Sequence, residues 1–256
     1  MKLVKLRAGL KPACYVNTKQ QFPVMTQKNI SLEATVNVRV KSSTLNPVID
    51  ICMLDGSNLG TGGNQYAASY SGGSFSKGKF TITNNGYLTV PTPMLASTEP
   101  WTVAFTIDGY TVNSSHTYCR VARGGNDVPS IFYTKSVDKF QTKMANASAN
   151  TSASGLVVVD TNNVEVLSSG ACLFSIDKNT RNTFVFRNDG EYISLWINGT
   201  EYMREATNNY SEVKYTSTFS IGDNASAGYD MYNLICSMLK VWDRALSIEE
   251  ISGINL

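Results

Sequence analysis

The residues of this chain best suited to chemistry are aromatic rings and carboxylates set along short apolar segments. In Glu191-Tyr192-Ile193-Ser194-Leu195-Trp196-Ile197, a strand sends alternate side chains to opposite faces. Tyr192 and Trp196 then share one face, and Ile193, Leu195 and Ile197 share the other. Aromatic rings stack on the apolar faces of sugars, with polar neighbours fixing orientation, so Tyr192 and Trp196 are the candidate glycan contacts. The competing reading packs both rings beneath a covering loop or a neighbouring subunit.

The other chemistries find less. Retaining glycoside hydrolysis needs two carboxylates about 5 Å apart. Glu191 and Glu201 flank turn sequences and Glu249-Glu250 fall in a terminal helix, so each reads as a surface charge, and no catalytic residue is expected. The one histidine, His116, lies in the polar stretch Asn113-Ser-Ser-His-Thr-Tyr118 and reads as a loop residue. Gly60-Thr-Gly-Gly63 lacks the following Lys-Ser/Thr and the helix that a phosphate cradle requires. No cofactor is expected; if calcium were held, Asp223, Asn224 and Asp230, or Asn126 and Asp127, would supply some of its oxygens, although Asp and Asn in such loops mostly form turns. Cys14, Cys52, Cys119, Cys172 and Cys236 are widely spaced and odd in number, which predicts thiols buried as small hydrophobes.

The elements that must position these residues are strands. Ser, Thr, Asn and Gly make up about a third of the 256 residues and disfavour long helices. Residues 32–40 alternate apolar and polar and predict a first strand, and a short apolar run at 48–54 predicts another. Residues 55–78 are rich in Gly and Ser and read as a loop, with a domain boundary near residue 74. Residues 80–83 and 87–90 then read as strands around an Asn84-Asn85-Gly86 turn, followed by a strand at 101–107. Residues 156–159 and 164–167 read as a hairpin around Thr161-Asn162-Asn163. The clearest signal is a three-stranded meander over 183–203, turned at Asp189-Gly190 and Asn198-Gly199, dipeptides that supply the positive φ of tight hairpins. A last strand is predicted through 236–242, and Ser247 with Glu250 forms a capping box that starts one short helix. Trp101 and Trp242 are assigned to the core.

Composition excludes some partners. The net charge of +2 is too small for the basic footprint of a nucleic-acid binder. No apolar run reaches the roughly 18 residues of a membrane span. Residues 1–10 are basic but lack the apolar stretch of a secretory signal, so an unprocessed N-terminus is expected.

The C-terminal stretch Met238-Leu-Lys-Val-Trp-Asp-Arg-Ala-Leu-Ser-Ile-Glu-Glu-Ile251 resembles the closing strand, turn and short helix of concanavalin A-like lectin/glucanase domains of the laminin G-like type. Asn85-Gly-Tyr-Leu-Thr-Val-Pro91, Trp101-Thr-Val-Ala-Phe105, Leu195-Trp-Ile-Asn-Gly199 and Phe219-Ser-Ile-Gly222 fit the same family in order. The resemblance spans residues 75–252 and implies an all-β, two-sheet antiparallel jelly-roll sandwich with one short C-terminal helix. That family includes lectins, glycoside hydrolases, adhesion modules and phage structural proteins, so fold alone leaves function open. The E-x-D-x-x-E arrangement of its glucanases is absent from this sequence.

The expectation is therefore a non-enzymatic structural or adhesion protein of a virus particle, a bacteriophage capsid decoration or tail component. Residues 1–74 would dock onto capsid or tail proteins. Residues 75–256 would form a sandwich that touches host-surface glycans or a further copy of the chain. A free extracellular carbohydrate-binding module or lectin is the alternative, and a divergent glycoside hydrolase the third reading.

Overall fold

The computed structural model describes residues 45–96, 99–112, 118–125, 129–144, 156–166, 172–207, 217–222 and 231–254. The predicted strand at 32–40 and Cys14, His116, Asn126, Asp127, Asp223, Asn224 and Asp230 lie outside them. The chain divides into Met1–Lys41 and a compact unit Ser42–Leu256.

The compact unit is an all-β sandwich of two antiparallel sheets. Its strands are β1 (Ile49–Asp50), β2 (Ser69–Ser76), β3 (Lys79–Pro91), β4 (Trp101–Ile107), β5 (Gly109–Val112), β6 (Tyr118–Gly124), β7 (Ser130–Thr134), β8 (Lys139–Lys143) and β9 (Leu156–Val158). They continue as β10 (Val164–Val166), β11 (Cys172–Phe174), β12 (Asn182–Asn188), β13 (Tyr192–Ile197), β14 (Thr200–Ala206), β15 (Thr218–Gly222), β16 (Met231–Cys236) and β17 (Leu239–Trp242), and one helix, α1 (Ile248–Ile254), follows. One sheet has the order β1-β17-β4-β12-β13-β14-β9. The other runs β10-β11-β8-β7-β6-β15-β3-β16-β5, with β2 also paired to β3.

The core lies between the sheets. Val103, Phe105 and Ile107 of β4 meet Phe184 and Phe186 of β12, the trio Ile193, Leu195 and Ile197 of β13, and Phe219 and Ile221 of β15, all of them buried. Phe105 and Phe184 stack with centroids 5.2 Å apart, and Phe219 tilts against Phe105 across the sandwich at 5.7 Å. The meander forms as the sequence predicts: Gly190 has φ +96°, and Asn198 and Gly199 have φ +51° and +82°. Cys172 and Cys236 are buried, and burial pushes the Cys236 thiol up to about 12. Both behave as small hydrophobes, as does the buried Cys119.

Four local expectations are corrected. Residue 74 falls inside β2, which pairs along β3, and β1 pairs with β17; the described residues ahead of 75 thus contribute to both sheets. The Gly-Ser composition of residues 55–78 concealed β2 because small residues there permit close backbone approach. A Cβ on Gly86 would stand 2.3 Å from the Gly72 carbonyl oxygen, and one on Gly222 would stand 2.4 Å from that of Gly86. For the same reason Asn84-Asn85-Gly86 closes no hairpin: it lies within β3 as an irregularity, where the register along β2 shifts between Ser71–Tyr87 and Gly73–Ile82, with β15 pairing from Tyr87 onward and β16 up to Ile82.

A predicted hairpin and a predicted strand each change sheet instead. β9 pairs with β14 in the seven-stranded sheet, whereas β10 pairs with β11 in the other. Thr161-Asn162-Asn163 is therefore a crossing turn, held by Asp160 accepting from the backbone N–H groups of Asn162 and Asn163. Similarly, the run predicted at 236–242 breaks at Ser237, with β16 in one sheet and β17 in the other. The Ser237 N–H donates to Thr106 Oγ1 (3.0 Å) and its hydroxyl to Asp108 Oδ1 (2.8 Å), tying this crossing to the parallel one between β4 and β5.

The turn after β17 and helix α1 lie on the outer face of the seven-stranded sheet. Thr102 Oγ1 donates to the Arg244 carbonyl (2.9 Å) and accepts from the Leu246 N–H (3.0 Å), which fixes the turn. Glu250 accepts from the Ser247 N–H (2.8 Å), and Ser247 Oγ accepts from the Glu250 N–H (3.3 Å), completing the predicted capping box. Leu246 and Ile251 then form a second apolar cluster with Ala104, Val185, Trp196, Met238 and Trp242.

Candidate functional site

That second cluster decides the fate of the two rings singled out by the sequence. Trp196 does share the outer face with Tyr192, but it belongs to the buried cluster and is only 7% exposed. Its Nε1–H donates to Ser194 Oγ at 2.9 Å. Trp196 therefore offers no open ring face to a sugar, which corrects its assignment as a glycan contact. The alternating pattern placed the ring on the right face, but it carried no sign that the C-terminal segment lies over it. Trp242, on the same face, is likewise buried, and its Nε1–H donates to the Leu45 carbonyl at 2.9 Å.

Tyr192 lies toward the other half of this face and is half-buried. The Arg204 guanidinium sits over its ring, with Cζ 5.2 Å from the centroid, a cation–π arrangement. Strand pairing sets the neighbours. Thr102, Arg187, Ser194, Arg204 and Val157 form one register row across β4, β12, β13, β14 and β9. The adjacent row holds Ala104, Val185, Trp196 and Glu201.

Glu201 and Arg204 are three residues apart, so a regular strand would send them to opposite faces. A β-bulge between β13 and β14 prevents this: Leu195 pairs with Met203 while Trp196 pairs with Glu201, leaving Tyr202 as the extra residue. An inserted residue re-aims the side chains beyond it. Glu201 and Arg204 consequently meet on the outer face, Nη1 to Oε1 at 3.8 Å. Simple alternation could not reveal this pair, and only the bulge brings it together.

The charges around Tyr192 balance. Arg187 donates from Nη1 to Asp189 Oδ2 (2.6 Å) and from Nε to the Leu246 carbonyl (2.8 Å). Burial pushes the Asp189 carboxyl up, but the Tyr192 N–H, the Arg187 guanidinium and the Glu191 N–H outweigh it and hold the group below its ordinary value. Glu201 goes the other way. Burial raises it, Asp189 adds to the rise, and Arg204 and Arg187 only partly oppose it. The two carboxyls thus shift in opposite directions, Asp189 against the Tyr192 N–H and Glu201 in register with Trp196.

Among the described residues no group of three or more His, Cys, Asp and Glu side chains is placed to hold a metal ion, and no helix is long and apolar enough to cross a membrane.

No family model and no curated protein matches the sequence. Solved structures do match in fold. The chain is similar to the receptor binding domain of botulinum neurotoxin C/D mosaic serotype, at 16% identity and a TM-score of 0.55 over 82% of this chain and 51% of that one. It is similar to the binding domain of botulinum neurotoxin DC, solved in complex with rat synaptotagmin II, at 12% identity and a TM-score of 0.53 over 82% and 51% of the two chains. It is also similar to Trypanosoma rangeli sialidase in complex with sialic acid, at 10% identity and a TM-score of 0.56 over 75% of this chain and 29% of that one. The chain thus spans about half the length of the toxin domains and under a third of the sialidase. At these identities the likeness is one of fold: a β-sandwich shared by binding domains and by an enzyme.

Proposed function

We propose that this chain is a non-enzymatic carbohydrate-binding sandwich of the concanavalin A-like jelly-roll kind, serving as an adhesion or structural component of a virus particle, a bacteriophage capsid or tail. The observation that carries the binding role is the half of the seven-stranded sheet's outer face that holds Tyr192, Arg187, Asp189, Glu201 and Arg204. It sets an aromatic ring among charged donors and acceptors on a rigid sheet, the composition that suits a sugar. The fold neighbours support the binding role, since they include receptor-binding domains and a sialidase solved in complex with sialic acid. In the particle reading, the segment ahead of the sandwich docks onto capsid or tail proteins and the sandwich faces a host-surface glycan. A free extracellular lectin would use the same face.

A glycoside hydrolase has one observation in its favour, the opposite shifts of Asp189 and Glu201, since acid and base roles are set by pulling two carboxyls apart. Against it, Asp189 is spent on two backbone N–H groups and a guanidinium that close the hairpin, which leaves it a structural anion. The test is an array of immobilised glycans probed with the full chain, together with an assay for polysaccharide turnover. Saturable binding without turnover is expected. Turnover would establish the hydrolase, and absence of binding would remove the carbohydrate role. An antibody against the chain should label intact particles; labelling only of soluble protein would favour the free lectin.

A further inference from the structure

We propose that Glu201 and Arg204 form the polar half of a site for a neutral sugar, bridged by one hydroxyl group of the ligand. This inference rests on the carbohydrate-binding reading and specifies its ligand class and residues.

Arg204 is held in place without its donors being used. Its guanidinium lies over Tyr192, and its Nε–H, shut off from water, meets no acceptor among the described residues. Its nearest carboxylate oxygen, Glu201 Oε1, stands 3.8 Å away, beyond hydrogen-bond range. Glu201 is the counterpart: its side chain is 17% exposed and accepts no hydrogen bond from a described residue, while burial raises its pKa. The Arg204 side chain is 43% exposed and that of Glu201 is 17% exposed, so the Nη donors and the carboxylate are open to solvent beside each other, and the pair suits a third group between them.

The gap has the dimensions of one oxygen. An atom at about 2.8 Å from both Nη1 and Oε1, an ordinary hydrogen-bond length, closes a triangle on a 3.8 Å base. A hydroxyl does this with the correct polarity, donating its proton to Glu201 and accepting from Arg204. A water molecule can hold the place until a sugar hydroxyl displaces it. Beside the pair, Val157 lies opposite Arg204 in the register and is 41% exposed, which offers apolar surface to the C–H face of a sugar ring.

Charge selects among sugars. Arg187 and Arg204 are balanced by Asp189 and Glu201, so the site carries no net charge. A carboxylated or sulfated sugar would gain from Arg204 and lose to Glu201. A neutral sugar uses both groups through one hydroxyl, which donates to Glu201 and accepts from Arg204.

The experiment measures binding of the full chain to immobilised neutral glycans (glucosyl, galactosyl, mannosyl and N-acetylhexosaminyl) and acidic ones (sialylated, sulfated and uronate-bearing). Glu201→Gln and Arg204→Gln are tested in parallel, with thermal melts to confirm folding, and Arg204→Lys is added as the variant that keeps charge but loses the planar fork. The expected result is binding confined to neutral glycans, weakened at least about tenfold in Glu201→Gln and in Arg204→Gln and only partly restored in Arg204→Lys. Binding confined to acidic glycans, or neutral binding unchanged in both Gln variants, overturns this inference and leaves the carbohydrate role standing. No glycan binding by the unmodified chain overturns both.

Discussion

One face of the seven-stranded sheet is used in two ways. Over β17, β4 and β12, and reaching Trp196 on β13, the C-terminal turn and helix cover it, and Val185, Trp196, Trp242, Leu246 and Ile251 make a second small core. Over β14 and β9 the face carries Glu201, Arg204 and Val157, with Tyr192 under the guanidinium. Tyr192 and Trp196 are four residues apart on one strand, yet one belongs to the binding half and the other to the packing half. Alternation assigns a residue to a face; what then lies over that face assigns its role.

This contrast can be broken by substitution. Trp196→Ala should be the most damaging change, destabilising the fold by about 3–5 kcal/mol through lost burial and the cavity left behind, read by chemical denaturation. A loss of glycan binding with unchanged stability would instead return Trp196 to the site. Gly86→Ala probes the sheet opposite: a Cβ 2.3 Å from the Gly72 carbonyl oxygen must move backbone, at a cost of about 1–3 kcal/mol. Ser247→Ala removes one half of the capping box and should lower stability by about 1 kcal/mol, loosening the cover over Trp196 while leaving the Tyr192 half intact.

The smallest effect is a pH dependence. The carboxyls of Asp189 and Glu250 are held below their ordinary values of 3.8 and 4.5, Glu250 chiefly by the Arg244 guanidinium, whose two nitrogens donate to it at 2.8 Å. Their folded forms prefer the deprotonated state, so their contribution is complete above those ordinary values and is lost as pH falls through the lowered ones. Glu201 has the opposite sign: its raised pKa makes protonation favour the folded state as pH falls through it. Thermal melts of Asp189→Asn should show a flatter acid limb than the unmodified chain, and those of Glu201→Gln a steeper one. Identical acid limbs would remove the opposition between the two carboxyls.

Much of the fold was legible in the sequence because its signals are local. Asp189-Gly190 and Asn198-Gly199 make the positive-φ hairpins they spell, Ile193, Leu195 and Ile197 face the core, and Ser247 and Glu250 cap the helix. The misreadings share a non-local cause. Asn84-Asn85-Gly86 has the composition of a turn, but it lies in a strand bordered by others, where Gly86 is needed for close approach. Thr161-Asn162-Asn163 does turn, but it delivers the chain to the other sheet. Of the candidate site, the sequence provided Tyr192 and the face. It missed Glu201 and Arg204, because their meeting depends on one extra residue whose effect shows only in the pairing of β13 with β14.

The measurement that bears most directly on the division of this face is a calorimetric titration of the full chain and of Arg204→Gln with the best glycan from the array, paired with their unfolding free energies. The expected result is an affinity at least about tenfold lower in the variant, with stability unchanged within about 0.5 kcal/mol. Equal affinities in two equally stable proteins would contradict it.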